Sequence, residues 1–248
     1  MLQITVWRVR GSCGPHMSHP ITIADNLNKI MDRIAAAAKR SGRNPASIRL
    51  IVVTKTIDVV RVREAVAAGA IILGENRVQE AKEKIEQLGS LAGWHLIGHL
   101  QTNKAKYAVR LFDLIHSVDS IELAHEIDRQ AAKIGKTQQI LIEVNISGEA
   151  SKSGVAPESA AGLIGKAAML KNISIKGLMT MPPYSDNPED ARPYFKKLYG
   201  LSAQIGKGNI PGVSLEELSM GMSGDFEVAV EEGATMVRVG TAIFGARS

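Results

Sequence analysis

The sequence predicts an α/β fold, a single-domain (β/α)8 TIM barrel, and three observations carry that expectation. Eight short apolar runs alternate with eight amphipathic segments along 248 residues, the order that pairs strands in parallel through right-handed crossovers. The length is one at which a lone α/β barrel commonly closes. No G-x-G-x-x-G follows the first strand, so the competing open, doubly wound sheet lacks its dinucleotide fingerprint.

The chain opens with a stretch unlike the rest. Met1 to Met17 holds Trp7, Arg8, Arg10 and Cys13 without periodicity and reads as an N-terminal extension of doubtful order. It lacks the apolar core of about 7–15 residues that a secretion signal needs, and Met17-Ser18-His19 resembles a second start. The barrel domain is expected over residues 18–248. From Ile21 to Arg40, residues Ile23, Leu27, Ile30, Ile34 and Ala38 recur at helical spacing, with Asp25 in the first turn and Gly42 and Pro45 as a stop. Leu50–Thr54 is an uninterrupted β-branched run, as in a strand covered on both faces. The further strands are Ala70–Gly74, Trp94–Gly98, Leu114–Ser117, Ile140–Asn145, Ile175–Met179, Leu215–Met220 and Met236–Gly240. Helical patterns fill the intervals: Val60–Ala68, Arg77–Leu88, Asn103–Leu111, Ser120–Ile134, Pro157–Ala168, Arg192–Ile205 and Gly224–Glu232.

Composition excludes several classes. Hydrophobic content of 45 % with 22 % charge is ordinary for a globular domain. A net charge of +5 alone does not indicate nucleic acid, because the cations are mixed with acids, as in Lys82-Glu83-Lys84-Ile85-Glu86, and only four Phe, four Tyr and two Trp are available for stacking. No apolar run approaches the roughly 20 residues of a membrane helix. A single cysteine, Cys13, rules out a disulfide framework within the chain and suits a reducing, cytoplasmic compartment. A monomer without nucleic-acid or membrane partners is expected.

In a barrel of this kind, functional residues sit at the C-terminal ends of the strands. Those ends read Thr54-Lys55-Thr56, Gly74-Glu75-Asn76-Arg77, Gly98-His99, His116-Ser117, Glu143-Val144-Asn145, Met179-Thr180, Ser219-Met220-Gly221-Met222-Ser223 and Arg238-Val239-Gly240-Thr241. Lys55 closes the first strand, and an amine stripped of water at a strand mouth is one that can form a Schiff base. His95 and His99 are four apart but flank Leu96-Ile97-Gly98 of an expected strand rather than a helix, with no H-E-x-x-H and no cysteine pair, so no metal is expected. No G-x-S-x-G elbow supports serine hydrolysis. The last two loops suit a phosphate: Gly240 admits an anion to the backbone, Thr241 adds a hydroxyl, and Gly221, Ser219 and Ser223 face them. An amine opposite a phosphate cradle fits one ligand, an aldehyde bearing a phosphate, pyridoxal 5′-phosphate (PLP).

The chain resembles the YggS/PROSC family of pyridoxal phosphate homeostasis proteins. The resemblance rests on Val52-Val53-Thr54-Lys55-Thr56, Gly74-Glu75-Asn76-Arg77-Val78-Gln79-Glu80, Trp94 to Lys104 (WHLIGHLQTNK), Gly177 to Met181, Leu218 to Phe226 (LSMGMSGDF) and Val237 to Gly245 (VRVGTAIFG). It implies a barrel similar to the alanine racemase N-terminal domain. It also implies Lys55 as the Schiff-base lysine, Ser219 or Ser223 with Gly240 and Thr241 at the phosphate, Arg238 against the pyridine nitrogen, and Asn76 near the ring or its hydroxyl. Thr54 stands where the family usually has Ser, Leu73 where Phe is common, and Arg77 where Tyr is common; the last changes the rim of the pocket.

The same resemblance bears on activity. An arginine beside the pyridine nitrogen disfavours its protonation and weakens the ring as an electron sink. Racemisation needs a second base on the opposite face, which alanine racemase takes from a further domain for which a chain ending at Ser248 leaves no room. The expectation is a PLP carrier serving vitamin B6 balance, with apo PLP-dependent enzymes as recipients. A PLP-dependent racemase or lyase using His99 or Tyr184 as base is the alternative, and a PLP-independent phosphate-sugar enzyme the third reading.

Overall fold

Eight parallel strands close on themselves in chain order, β1 (Arg49–Val53), β2 (Ile72–Glu75), β3 (Gly93–Leu96), β4 (Leu114–Val118), β5 (Gln138–Glu143), β6 (Ile173–Met179), β7 (Val213–Ser219) and β8 (Met236–Val239). β8 returns to β1 in the register Leu50 to Val237 and Ile51 to Arg238, which leaves no strand edge unpaired. A computed structural model of the chain describes residues 22–149 and 152–245. The extension expected over residues 1–17 lies outside them. No helix among the described residues is long and apolar enough to cross a membrane.

Helices α1 (Ile23–Arg40), α2 (Val59–Ala67), α3 (Val78–Leu88), α4 (Ala105–Leu111), α5 (Ile121–Ala132), α6 (Pro157–Ala167), α7 (Arg192–Gly206) and α8 (Phe226–Glu231) surround the barrel, and a short α9 (Thr241–Phe244) follows β8. Thr22 and Asp25 cap α1 reciprocally, satisfying amides that the first turn leaves open. Arg33 and Arg40 of α1 then pair with Glu227 and Glu231 of α8, seating the first helix beside the last strand's helix.

Alternation along each strand divides the apolar residues between two layers. Leu50, Val52, Leu73 and Leu96 face the helices, whereas Ile51, Ile97, Leu114, Leu141, Met179 and Met236 fill the barrel interior. Two steps beyond these on their strands come His116, Glu143 and Arg238, all less than 4 % exposed, so the upper interior is polar. At Gly177 an added Cβ would lie 1.8 Å from the Glu217 carbonyl, which fixes glycine where β6 crosses β7.

The expected elements agree with those observed to within two residues at most ends. β2 starts at Ile72 rather than Ala70 because Gly69, at φ +105°, and the Ala70 amide bonded to the Ala65 carbonyl still belong to the close of α2. A 3-10 turn, Thr102–Lys104, leads into α4. The short α9 has no counterpart among the expected helices.

Candidate functional site

The turn carrying Lys55 is held on both sides. Lys84, buried on α3, donates to the Thr54 carbonyl at 2.6 Å and to Glu75 at 2.6 Å and Glu80 at 2.7 Å. The Thr54 hydroxyl donates to the same Glu75 oxygen at 2.6 Å, and Glu80 accepts from the Thr56 amide at 2.5 Å. Thr56 adopts φ +62°, a left-handed conformation that a β-branched residue enters only under constraint. The carboxylate of Glu75 is pushed upward in pKa, because its burial outweighs the Lys84 and Thr54 hydrogen bonds.

Lys55, Asn76, Ser223, Arg238, Gly240 and Thr241 line one cavity of about 370 Å3 at the C-terminal mouth of the barrel. Each therefore reaches the place at which the strand ends were expected to converge. Ser223 and Gly240 come from loops β7–α8 and β8–α9, joined by the Gly240 amide donating to the Ser223 hydroxyl at 3.4 Å. Behind Asn76, a Cβ at Gly98 would sit 2.5 Å from the Asn76 carbonyl, so glycine lets β3 approach the β2 loop and set Asn76 at the wall.

Ser219 stands elsewhere. It is fully buried, does not line the cavity, and accepts from Arg238 Nη1 at 2.7 Å. Arg238 Nη2 donates to the Thr180 carbonyl at 2.9 Å, so two hydrogen bonds aim the guanidinium. Ser219 also meets His116 Nδ1 at 2.9 Å, and His116 Nε2 meets His95 Nδ1 at 3.1 Å. Since arginine only donates, the assignment that uses every donor runs from Arg238 to Ser219, to His116, to His95. It requires both imidazoles to be neutral. Burial, then the Arg49 charge, lowers His95 to about 4; burial, then His95, Arg238 and Arg49, holds His116 well below its ordinary value. Burial also lowers Arg238 to about 10, against the pull of Asp225 and Glu143, which leaves it charged at neutral pH.

Several participants were not singled out in the sequence. Asp225 lines the cavity and accepts from the Met222 amide at 2.6 Å, shaping the loop that bears Ser223. Glu143, at the end of β5, is 2 % exposed with one oxygen unpartnered among the described residues; burial, then the Asp119 charge, raises it to about 7. A strand-end acid is the only signal the sequence offers for it. Among the described residues no group of three His, Cys, Asp or Glu could hold a metal ion. The donors instead fit a phosphorylated aldehyde: an amine, a buried arginine, two hydroxyls and glycine backbone on one concave wall.

The family described as "Alanine racemase, N-terminal domain" matches residues 26–248. The pyridoxal phosphate homeostasis protein of Aquifex aeolicus is 47 % identical over 224 residues, covering 90 % of this chain and 97 % of its own. That of Escherichia coli K12 is 39 % identical, covering 91 % and 97 %. PipY of Synechococcus elongatus, whose structure has PLP bound, is 37 % identical with a TM-score of 0.78 over 90 % of this chain and 100 % of that one. Alanine racemase of Clostridium difficile, at 18 % identity and a TM-score of 0.69, shares the fold over 57 % of its length. The chain belongs to the family of pyridoxal phosphate homeostasis proteins, built on the alanine racemase N-terminal domain.

Proposed function

We propose that this chain is a cytoplasmic carrier that takes up PLP as a reversible Schiff base on Lys55 and returns it to the vitamin B6 pool, without robust turnover of its own. The observation that carries this reading is the single cavity that gathers Lys55, Arg238, Ser223, Gly240 and Thr241, in a chain so similar to a structure with PLP bound.

PLP supplies an aldehyde and an electron-withdrawing ring. Lys55 would hold the group through its aldehyde, the amine taking the place of the carbonyl oxygen, which would leave as water. A primary amine from an apo-enzyme lysine or a small metabolite could take the group over in exchange for Nζ. Ser223, Thr241 and the adjoining backbone amides would hold the phosphate, with Asn76 near the ring. Arg238, fixed by Ser219 and Thr180, would stand against the pyridine nitrogen, where its charge would discourage protonation.

The test is direct. PLP-exposed protein is reduced with borohydride and digested, and the peptides are weighed. The Lys55 peptide is expected to carry the pyridoxyl mass, and Lys55→Ala to lose the visible absorbance. An unmodified Lys55 peptide, or undiminished PLP binding by the variant, overturns the reading.

A racemase or lyase remains the second reading, because His99 and Tyr184 line the same cavity. Tyr184 donates to Asp186 at 2.7 Å, and that carboxylate raises the phenol's pKa, leaving less phenolate to act as a base at neutral pH. Amino acids incubated with the protein in deuterated water discriminate: exchange of the α-hydrogen that vanishes in Lys55→Ala favours the enzyme.

A further inference from the structure

Two of the segments that carry the family resemblance hold more chemistry than the Lys55 cavity uses. Asn76 and His99 line that cavity, whereas Arg77, Gln79, Gln101 and Lys104 line a second one of about 470 Å3 next to it. The two cavities share Asn76 and His99 as a common wall.

The second wall is cationic. Arg77, Lys82 and Lys104 line it, and no carboxylate does. Acids lie behind the lining rather than in it: Glu86 is 3.7 Å from Lys82, Glu83 accepts from Gln79 at 3.3 Å, and Asp119 is 3.8 Å from His99. Arg77 is also the N-cap of the eleven-residue α3 and makes no side-chain cap hydrogen bond. Val78 and Gln79, the first residues of that helix, line the groove, so amides without a partner in their own helix add to its positive potential. Tyr107, 45 % exposed, gives the rim a flat apolar face. The volume lies within the range that small-molecule sites span, about 300–1,000 Å3. Three cations in that space, one of them a guanidinium fork, match a compact anion of more than one charge.

We propose that this groove binds a phosphate-bearing small molecule, gripped by Arg77, Lys82 and Lys104 alongside the Lys55 cavity rather than within it.

Calorimetric titration of PLP-exposed protein with inorganic pyrophosphate and with ADP tests it, with the visible spectrum read on the same sample. Saturable binding is expected, weakened about tenfold by either Lys104→Ala or Arg77→Tyr, with the spectrum unchanged. Tighter binding of ADP that depends on Tyr107 assigns an organic phosphate ester; equal binding assigns an inorganic anion. Absence of binding, binding indifferent to both substitutions, loss of PLP absorbance during the titration, or capture of poly-glutamate but not pyrophosphate overturns the proposal. The substituted side chains are exposed, so the variants fold, and the spectrum separates this outcome from the fate of the Lys55 reading.

Discussion

Lys84 Nζ donates to the carbonyl oxygen of Thr54 at 2.6 Å, one residue before Lys55, from a helix three elements further along the chain. Glu80, four residues before Lys84, accepts from the Thr56 amide on the other side. The turn that presents Lys55 is therefore clamped by a buried ion pair rather than by its own sequence. Lys84→Met removes the cation and leaves Glu75 buried beside Glu80. Breaking a buried pair in this way costs about 3–5 kcal/mol, so a large fall in melting temperature is expected. Glu75→Gln with Lys84→Met removes both charges and should recover part of it, measured by thermal denaturation. With Thr56 no longer held at φ +62°, PLP should bind the single variant more weakly at temperatures where it is still folded.

Ser219 is buried against Arg238 and His116 whereas Ser223 lines the cavity, and two alanine substitutions test whether their roles differ accordingly. Ser219→Ala strands a buried arginine N–H and His116, which costs about 1–3 kcal/mol, while the phosphate cradle stays intact. Ser223→Ala removes a hydroxyl at the cavity wall and should leave stability nearly unchanged while weakening PLP binding severalfold. Equilibrium denaturation and PLP titration of both variants check the contrast, which is lost if Ser219→Ala is the weaker binder of the two.

Gly98 is predicted to tolerate no side chain. A methyl group there would lie 2.5 Å from the Asn76 carbonyl and 2.7 Å from its Cα, both backbone atoms that cannot rotate aside. Gly98→Ala should lower stability by about 1–3 kcal/mol and displace Asn76 from the wall of both cavities. Denaturation and PLP titration of the variant check this.

What the sequence disclosed was local. Buried strands read as β-branched runs because both faces of β1 are covered, and the strand ends follow from them, so Lys55, Asn76, Arg238, Gly240 and Thr241 are legible as a group in the sequence. The two serines are less legible: β7 ends at Ser219, which meets Arg238 inside the barrel, whereas Ser223 lies four residues further along the loop and reaches the mouth, and no pattern in the sequence separates them. The Lys84 clamp was illegible because Lys84 sits among alternating charges, where a solvated helix face is the default; only the β2–α3 packing buries it to 6 %. α9 is four residues long and opens on Gly240, too short for any periodicity to register. The second groove arises where the start of α3 meets the β3–α4 segment, and neither stretch alone has a binding signature.

Glu143 gives the fold a measurable pH dependence. Its carboxyl rises from an ordinary 4.5 to about 7, by burial first and then the Asp119 charge. The folded protein thus holds this proton more tightly than the unfolded chain does. Its contribution is complete below about pH 4.5 and is lost as pH rises to about 7, a change of about 3 kcal/mol. His95 works in the opposite direction: lowered from 6.5 to about 4, it favours the folded state above pH 6.5 and withdraws that support as pH falls towards 4. The two slopes offset each other in the natural chain between about pH 4.5 and 6.5. Glu143→Gln removes one of them. The variant should be the more stable protein at pH 8, where Glu143 is a buried anion, and its stability should fall steeply on acidification to pH 5. Melting temperatures of both proteins across that range decide it, and a difference between them that does not vary with pH would show that Glu143 keeps an ordinary carboxylate.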